Sequence, residues 1–371
     1  MFLALKEMRH SKTRFVMIGT ILVLVSWLVF ILSGLGNGLA TLAASTFQNM
    51  AADYVVFEKG SKASMSKSLL SGGLTAELLE IPNVEAASPM GIIMGSAAKG
   101  GSEENKLDIA LVGIEPGSFL EPAVTEGTGL DAGRPSHVIV NESMKDEGFK
   151  IGDTFVLDGT TEILTIAGFV RDQTYNHVAY VFIPIETWRK LAFAAPGSDK
   201  GVKDPVNAIM LQGKDIDPNV VSERLPGTET VTRAQAVQGI AGYKEETGTI
   251  FMMLGFLFVI SAFIVGVFFY VLTMQKSNQF GIMKAIGAKN GFLSRAVISQ
   301  VFVLSLASIA IGILLTYGTA VVLPKGMPFR LETGWVIAYS LVLLAIALAS
   351  SLVSVRTVVK IDPLKALGRV E

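Results

Sequence analysis

Residues 1–45 read MFLALKEMRHSKTRFVMIGTILVLVSWLVFILSGLGNGLATLAAS. A short basic segment runs directly into a long uncharged one, and two readings compete for it. A secretory signal has the same basic start, but its apolar core is only about 7–15 residues long. Here no charge intervenes between Arg14 and Asp53. Residues 15–32 alone are strongly apolar and already close to the roughly 20 residues that cross a bilayer. The small-residue run ATLAAS (40–45) lies too far beyond that core to serve as its cleavage site. The length therefore assigns a retained transmembrane helix.

The rest of the chain follows the same pattern. Of its 371 residues, 50% are hydrophobic and 17% charged, against about 25% charged in ordinary soluble domains. Four windows carry no charge at all: 15–52, 247–275, 296–324 and 333–355. Each can hold a spanning helix. Between the first and second lies a long polar stretch with normal globular composition. The net charge of -1 conceals this division: 53–246 is acidic and the short segments outside it are basic. The expected order is a basic segment at 1–14, a first transmembrane helix with its extension at 15–44 and an inserted domain at 45–246. A second helix at 247–275, a connecting loop at 276–295, a third helix at 296–324, a short loop at 325–332, a fourth helix at 333–355 and a tail at 356–371 follow.

Charge sets the expected orientation. Lys6, Arg9, Lys12 and Arg14 precede the first span. Lys276, Lys284, Lys289 and Arg295 lie between the second and third, and Arg356, Lys360, Lys365 and Arg369 follow the fourth. Basic residues near span ends favour the cytoplasmic side. Both termini and the 276–295 loop are expected inside, and the large domain outside, in a multi-pass protein of the cell membrane. Cysteine is absent, so no disulfide and no thiolate chemistry is available. A domain of this size buries its own core without such staples.

Within the inserted domain, DYVVF, DIALVGI, HVIV, TFVLDG, EILTIAGFV, VAYVFI and VNAIMLQG alternate or run apolar as strands do. TAELLEI, PIETWRKLAF and RAQAVQGIAGY read as helices. SKASMSKSLLSGG and AAPGSDKGVKDP read as loops. The fold class is an α+β membrane protein: four transmembrane helices, with a large α+β domain, in one or two lobes, inserted after the first.

Most familiar chemistry is missing. No G-x-x-x-x-G-K-[ST] loop occurs, so ATP-driven work needs another subunit. No catalytic residue set stands out, and His10, His137 and His177 are too scattered for a metal cluster. The carboxylates of the domain read as a solvated surface, and nothing points to nucleic acid. No ionisable residue interrupts a span, which argues against a proton or ion pathway. Gly34, Asn37 and Gly38 in GLGNG fit either a small-residue helix-packing face or a flexible point within the helix.

Two further stretches carry a resemblance. QKSNQFGIMKAIGAKNGFLSRAVISQ (275–300) and VVKIDPLKALG (358–368), with the four-span layout, resemble the MacB/FtsX class of ABC-transporter permeases. The matching residues are Gly281, Ile282, Lys284, Ala285, Ile286, Gly287 and Ala288, then Asp362, Pro363, Ala366 and Leu367. SHVIVNESMKDEGFKIGDTFVLDG (136–159) resembles the outer-domain pattern of that class. The sequence departs from it at Gln279, where an acid is common, which puts any ion pair there in question. The resemblance implies a non-catalytic permease subunit, working as a homodimer with two copies of an ATPase that binds the ATP. It also implies mechanotransmission, in which motion passes through the spans to the outer domains. The 276–295 loop would then hold an amphipathic helix, with Phe280, Met283 and Gly287 on the side that docks in the ATPase.

LALKEMRHSKTRF, FILSGLGNGLA and FQNMAADYVV more narrowly resemble the HrtB-type haem-efflux permeases of Gram-positive bacteria. That resemblance implies haem as the transported substrate and no intrinsic cofactor. A haem site needs aromatic faces and a few ligating groups. The candidates are Phe47, Met50 and Tyr54 after the first span, Tyr175, His177 and Tyr180 in TYNHVAYVF, and Tyr243 before the second span. Each also fits ordinary packing, and Tyr243 an interfacial aromatic belt. Export of a peptide, drug or lipid, or FtsX-like regulation of a cell-wall hydrolase, is compatible with the same architecture.

Overall fold

The computed structural model describes residues 12–99, 106–171, 173–175, 178–324 and 327–360. Helix α1 runs unbroken over Lys12–Asn49. It contains no proline, and in lipid a helix is the segment's means of pairing every backbone group internally. Two compact units divide the chain: residues 39–246, and residues 1–38 with 247–371.

The first unit is the inserted domain. Its strands are β1 (Tyr54–Glu58), β2 (Leu70–Ser71), β3 (Ala86–Lys99), β4 (Lys106–Ile114), β5 (Glu126–Gly127), β6 (His137–Asn141) and β7 (Thr154–Leu157). They continue with β8 (Ile163–Val170), β9 (Thr174–Tyr175), β10 (Val178–Pro184), β11 (Pro205–Val206), β12 (Ala208–Gln212) and β13 (Thr228–Thr232). Short helices α2 (Leu74–Leu78), α3 (Ile185–Ala192), α4 (Pro218–Arg224) and α5 (Arg233–Gln238) connect them.

One sheet runs in the order β13-β1-β12-β3-β4-β10-β6-β8-β5. The long β3 also pairs with β7, and β7 with β8. The path β3-β4-β10-β6-β8-β7 therefore closes on itself, which leaves those strands without free edges. Both faces of the sheet are covered. Ile109, Leu111 and Val181 point into one apolar cluster, and Ala110, Val112, Tyr180 and Phe182 into the other. Double burial explains why IALVGI and VAYVFI are continuously apolar rather than alternating. On the first face α3 seats Trp188, wholly buried, over Gly91 and Gly113, which lie opposite each other in the β3–β4 register. A Cβ on either glycine would collide with the indole. Strand β3 is the main element the sequence pattern hides, because AASPMGIIMGSAAK is dominated by small residues.

The second unit holds the spans. Helix α6 covers Tyr243–Gln275, α7 Ser277–Ala285, α8 Asn290–Val322 and α9 Thr333–Lys360. With α1 these include four helices long and apolar enough to cross a membrane. Hydroxyls and glycines bind α1 to α8. Ser26 Oγ donates to the Val23 and Ser308 carbonyls at 3.0 and 3.3 Å, and Ser308 Oγ donates to the Gly19 carbonyl at 3.2 Å. Trp27 Nε1 donates to Thr319 Oγ1 at 3.1 Å. Gly312 faces Ser26 so closely that a Cβ there would collide with its hydroxyl. Close backbone approach with polar contacts is what holds helices together where no hydrophobic driving force acts between them.

Candidate functional site

The last turns of α1 belong to the inserted domain, and a set of hydroxyls fastens them there. Ser45 Oγ and Thr174 Oγ1 are 2.7 Å apart, and the Thr174 amide donates to Ser45 Oγ at 2.9 Å. Thr46 Oγ1 donates to the Thr174 carbonyl at 3.3 Å. Arg233 Nη1 donates to the Met50 carbonyl at 2.6 Å. Nothing in the sequence pattern singles out Ser45, Thr46 or Thr174, because hydroxyls are common at every kind of position.

Around this attachment lies an aromatic ladder. The rings of Phe47 and Tyr175 are 6.0 Å apart and tilted. Tyr175 stacks on Tyr180 at 5.9 Å, and Tyr180 meets Phe182 edge-on at 5.5 Å. Met50 and Tyr243 join the same apolar cluster, and Tyr243 is hydrogen-bonded to the Gln48 side chain. Five of the sequence candidates, Phe47, Met50, Tyr175, Tyr180 and Tyr243, thus meet on one face. Tyr54 does not: strand alternation along β1 turns it toward the opposite cluster, with Val56. His177 lies outside the described residues.

The cluster is packed rather than open. Phe47 is 1% exposed, Tyr180 0% and Met50 6%, while Tyr175 and Tyr243 are partly exposed. Burial pushes the Tyr175 phenol up to about 12. Burial, reinforced by the neighbouring Tyr175, raises Tyr180 well above the ordinary phenol range. The Tyr180 hydroxyl sits beside Thr46 without a well-formed hydrogen bond. Both phenols are therefore neutral at physiological pH in the unliganded chain. Among the described residues no group of three or more His, Asp or Glu is placed to hold a metal ion.

A pH dependence follows from the Tyr175 phenol. The folded pKa of Tyr175 is raised above its unfolded value, so its contribution is complete below pH 10 and is lost as pH climbs toward about 12. Stability of the full chain in detergent is expected to fall over that window by about 1.4 kcal/mol per pH unit for the Tyr175 phenol. Thermal unfolding recorded alongside tyrosinate absorbance checks this. An unchanged Tm across the window would show that the Tyr175 ring is not sealed from water.

The glycine face has a different partner from the one a helix-packing motif suggests. The Phe329 ring lies over Gly34, and the Pro328 carbonyl lies against Gly38. The Arg330 amide donates to the Gly34 carbonyl at 2.9 Å. The chain's own α8–α9 connection thus occupies this face. Gly36, by contrast, faces Ile250 of α6.

The connection between α6 and α8 packs partly against its own chain. Phe280, 3% exposed, packs with Leu293 and Val297, and Met283 leans on the same cluster. Phe280 and Met283, expected on the docking side, are therefore turned into the chain itself, while Gly287 stays exposed. The outward apolar residues are Ile282, 46% exposed, and Ile286, 81% exposed, with Ala285 beside them. Gly287 is not within the helix: it ends it, at φ +100°. The Gly287 amide donates to the Lys284 carbonyl at 3.0 Å and the Ala288 amide to the Met283 carbonyl at 2.9 Å. That pair of bonds is a Schellman cap, which calls for glycine at the left-handed position. Lys284 Nζ reaches the Val359 carbonyl at 2.7 Å and ties α7 to α9. The tail residues Asp362, Pro363, Ala366 and Leu367 lie outside the described residues.

Two family models match the chain. The MacB-like periplasmic core domain aligns with residues 16–227, and the FtsX-like permease C-terminal with residues 251–363. The chain belongs to the MacB/FtsX class of ABC-transporter permeases. Relatives of this permease align from end to end. A Staphylococcus haemolyticus protein, provisionally named hemin transport system permease protein HrtB, is 27% identical over 375 residues, covering 100% of both chains. A Staphylococcus epidermidis protein of the same name is 27% identical over 373 residues, covering 99% of each. An uncharacterized ABC transporter permease of Mycobacterium tuberculosis is 25% identical over 372 residues, again covering 99% of each. Permease subunits of this class are non-catalytic, which accords with the missing phosphate-binding loop.

Proposed function

We propose that this permease exports haem from the cell membrane as a homodimer driven by two copies of a separate ATPase. The observation that carries the reading is the end-to-end similarity to the hemin-transport relatives. The aromatic ladder at the end of α1 supports it, because stacked ring faces suit a flat apolar macrocycle. Haem enters as cargo. Tyr175 and Tyr243, the partly exposed members of the cluster, offer it the first surface, and Phe47, Met50 and Tyr180 form the packed wall behind them.

The proposed orientation places both termini and α7 in the cytoplasm and the inserted domain outside, on the charge asymmetry alone. A reporter fused after Gly100 is expected to be accessible from outside the cell, and one after Gly291 inside. The reverse pattern would overturn the arrangement.

Cells producing the permease with its ATPase are expected to tolerate more haem than cells lacking it, and protein purified from haem-loaded cells to carry a haem absorbance band. Tyr243→Ala is expected to weaken haem retention by about tenfold, the scale of one lost aromatic stacking contact. Normal membrane levels and ATPase coupling should accompany that loss. If neither haem tolerance nor haem absorbance is seen for the wild-type chain, the cargo is a different amphiphile, such as a peptide, drug or lipid.

A further inference from the structure

An open groove of about 530 Å³ runs along the seam between α1 and α8. Its walls are apolar, and small residues create it: Gly19 on α1 and Ala307 on α8 leave space where longer side chains would close the seam. Val16 on its rim is 64% exposed. Lys12 is the single ionisable residue lining it, at one end, and Val23 marks the other.

The length of the groove identifies what fills it. From Lys12 to Val23 the helix rises about 16 Å at 1.5 Å per residue. Half of a bilayer's hydrocarbon core is about 15 Å. The groove thus begins at the charged interface and ends near the membrane midplane, as a single lipid tail does. A helix of a second copy would continue past the midplane and would gain nothing from the cationic end. We propose that the groove holds one acyl chain of an anionic phospholipid, with its phosphate paired to Lys12. Under the proposed orientation this is a lipid of the inner leaflet. The identification of the leaflet rests on that reading; the presence of the lipid does not.

The full-length chain is reconstituted in phosphatidylcholine vesicles containing a trace of phosphatidylglycerol with a photoreactive tail. A parallel sample carries phosphatidylcholine with the same tail. After illumination, peptide mapping is expected to place the label on 12–23 and 304–311, about fivefold more with phosphatidylglycerol, the scale of one lysine's attraction to an anionic lipid surface. Lys12→Glu is expected to remove that preference, and Ala307→Trp, on an exposed position, to lower labelling by both lipids. Equal labelling by the two lipids, or the same preference on the exposed α6 face around Phe256 and Phe263, would overturn the proposal. So would an intermolecular disulfide formed in membranes by Val16→Cys in this cysteine-free chain, which would give the groove to a second copy. Neither haem nor ATP enters the measurement, so its failure leaves the transport reading standing, and failure of haem export leaves the lipid site standing.

Discussion

Changing Ile286 to Asp is expected to abolish ATP-driven transport while the permease still reaches the membrane at its normal level. Ile286 is 81% exposed, and Ile282, one turn earlier, is 46% exposed, on a short connection between two spans. Burying one such side chain against a partner is worth about 1.5–3 kcal/mol. Forcing a carboxylate into the same contact adds a desolvation cost. Loss of about 3 kcal/mol alone weakens association about 150-fold. Ile286→Ala should be milder, about tenfold, by the lower end of the same range. Phe280→Asp serves as the contrast, because it places a charge among Leu293 and Val297 and should lower the amount of folded protein. ATPase stimulation by reconstituted permease, measured beside membrane level, separates these outcomes. Full stimulation with Ile286→Asp would move the docking face off α7.

Phe47→Ala is expected to destabilise the inserted domain by about 3–5 kcal/mol, the cost of truncating a fully buried aromatic side chain. The ring is 1% exposed and lies against Tyr175, within the cluster that includes Met50 and Tyr180. Loss of haem tolerance in that variant would therefore report unfolding, whereas the same loss in Tyr243→Ala, at a partly exposed position, would report the site. Thermal unfolding of both variants in detergent distinguishes them. If Phe47→Ala is as stable as the wild type, the ladder is a preformed pocket rather than packed core, and Phe47 becomes a direct contact for the cargo.

The spans and the α+β character of the insertion were legible because their signals are local. A charge-free run of sufficient length needs no knowledge of what surrounds it, and VAYVFI or DIALVGI declare strands by composition. Strand β3 escaped because Gly91, Gly95 and its alanines carry little β-propensity. Its length is set by partners on both sides, β12 and β4 along most of it and β7 at its end. The candidate residues divided in the same way. Proximity in sequence joined Tyr54 to Phe47 and Met50, but the period-two alternation of β1 sends it to the far side of the sheet. GLGNG showed a small-residue face without showing that residues 328–330 would cover it.

By itself the sequence determined the number of spans, the position of the insertion, the absence of thiol and phosphate-loop chemistry, and the class of permease. These depend on composition, length and short motifs, each complete within its own segment. Only the tertiary structure decided which side of α7 faces outward, what lies on Gly34 and Gly38, and which aromatic residues share a face. Side-chain direction there is set by contacts between residues far apart in the chain: Val355 against the Phe280 cluster, Phe329 over Gly34, Thr174 hydrogen-bonded to Ser45. An exposed and a buried position on one short helix have the same local sequence signal, and only the neighbour that arrives from elsewhere distinguishes them.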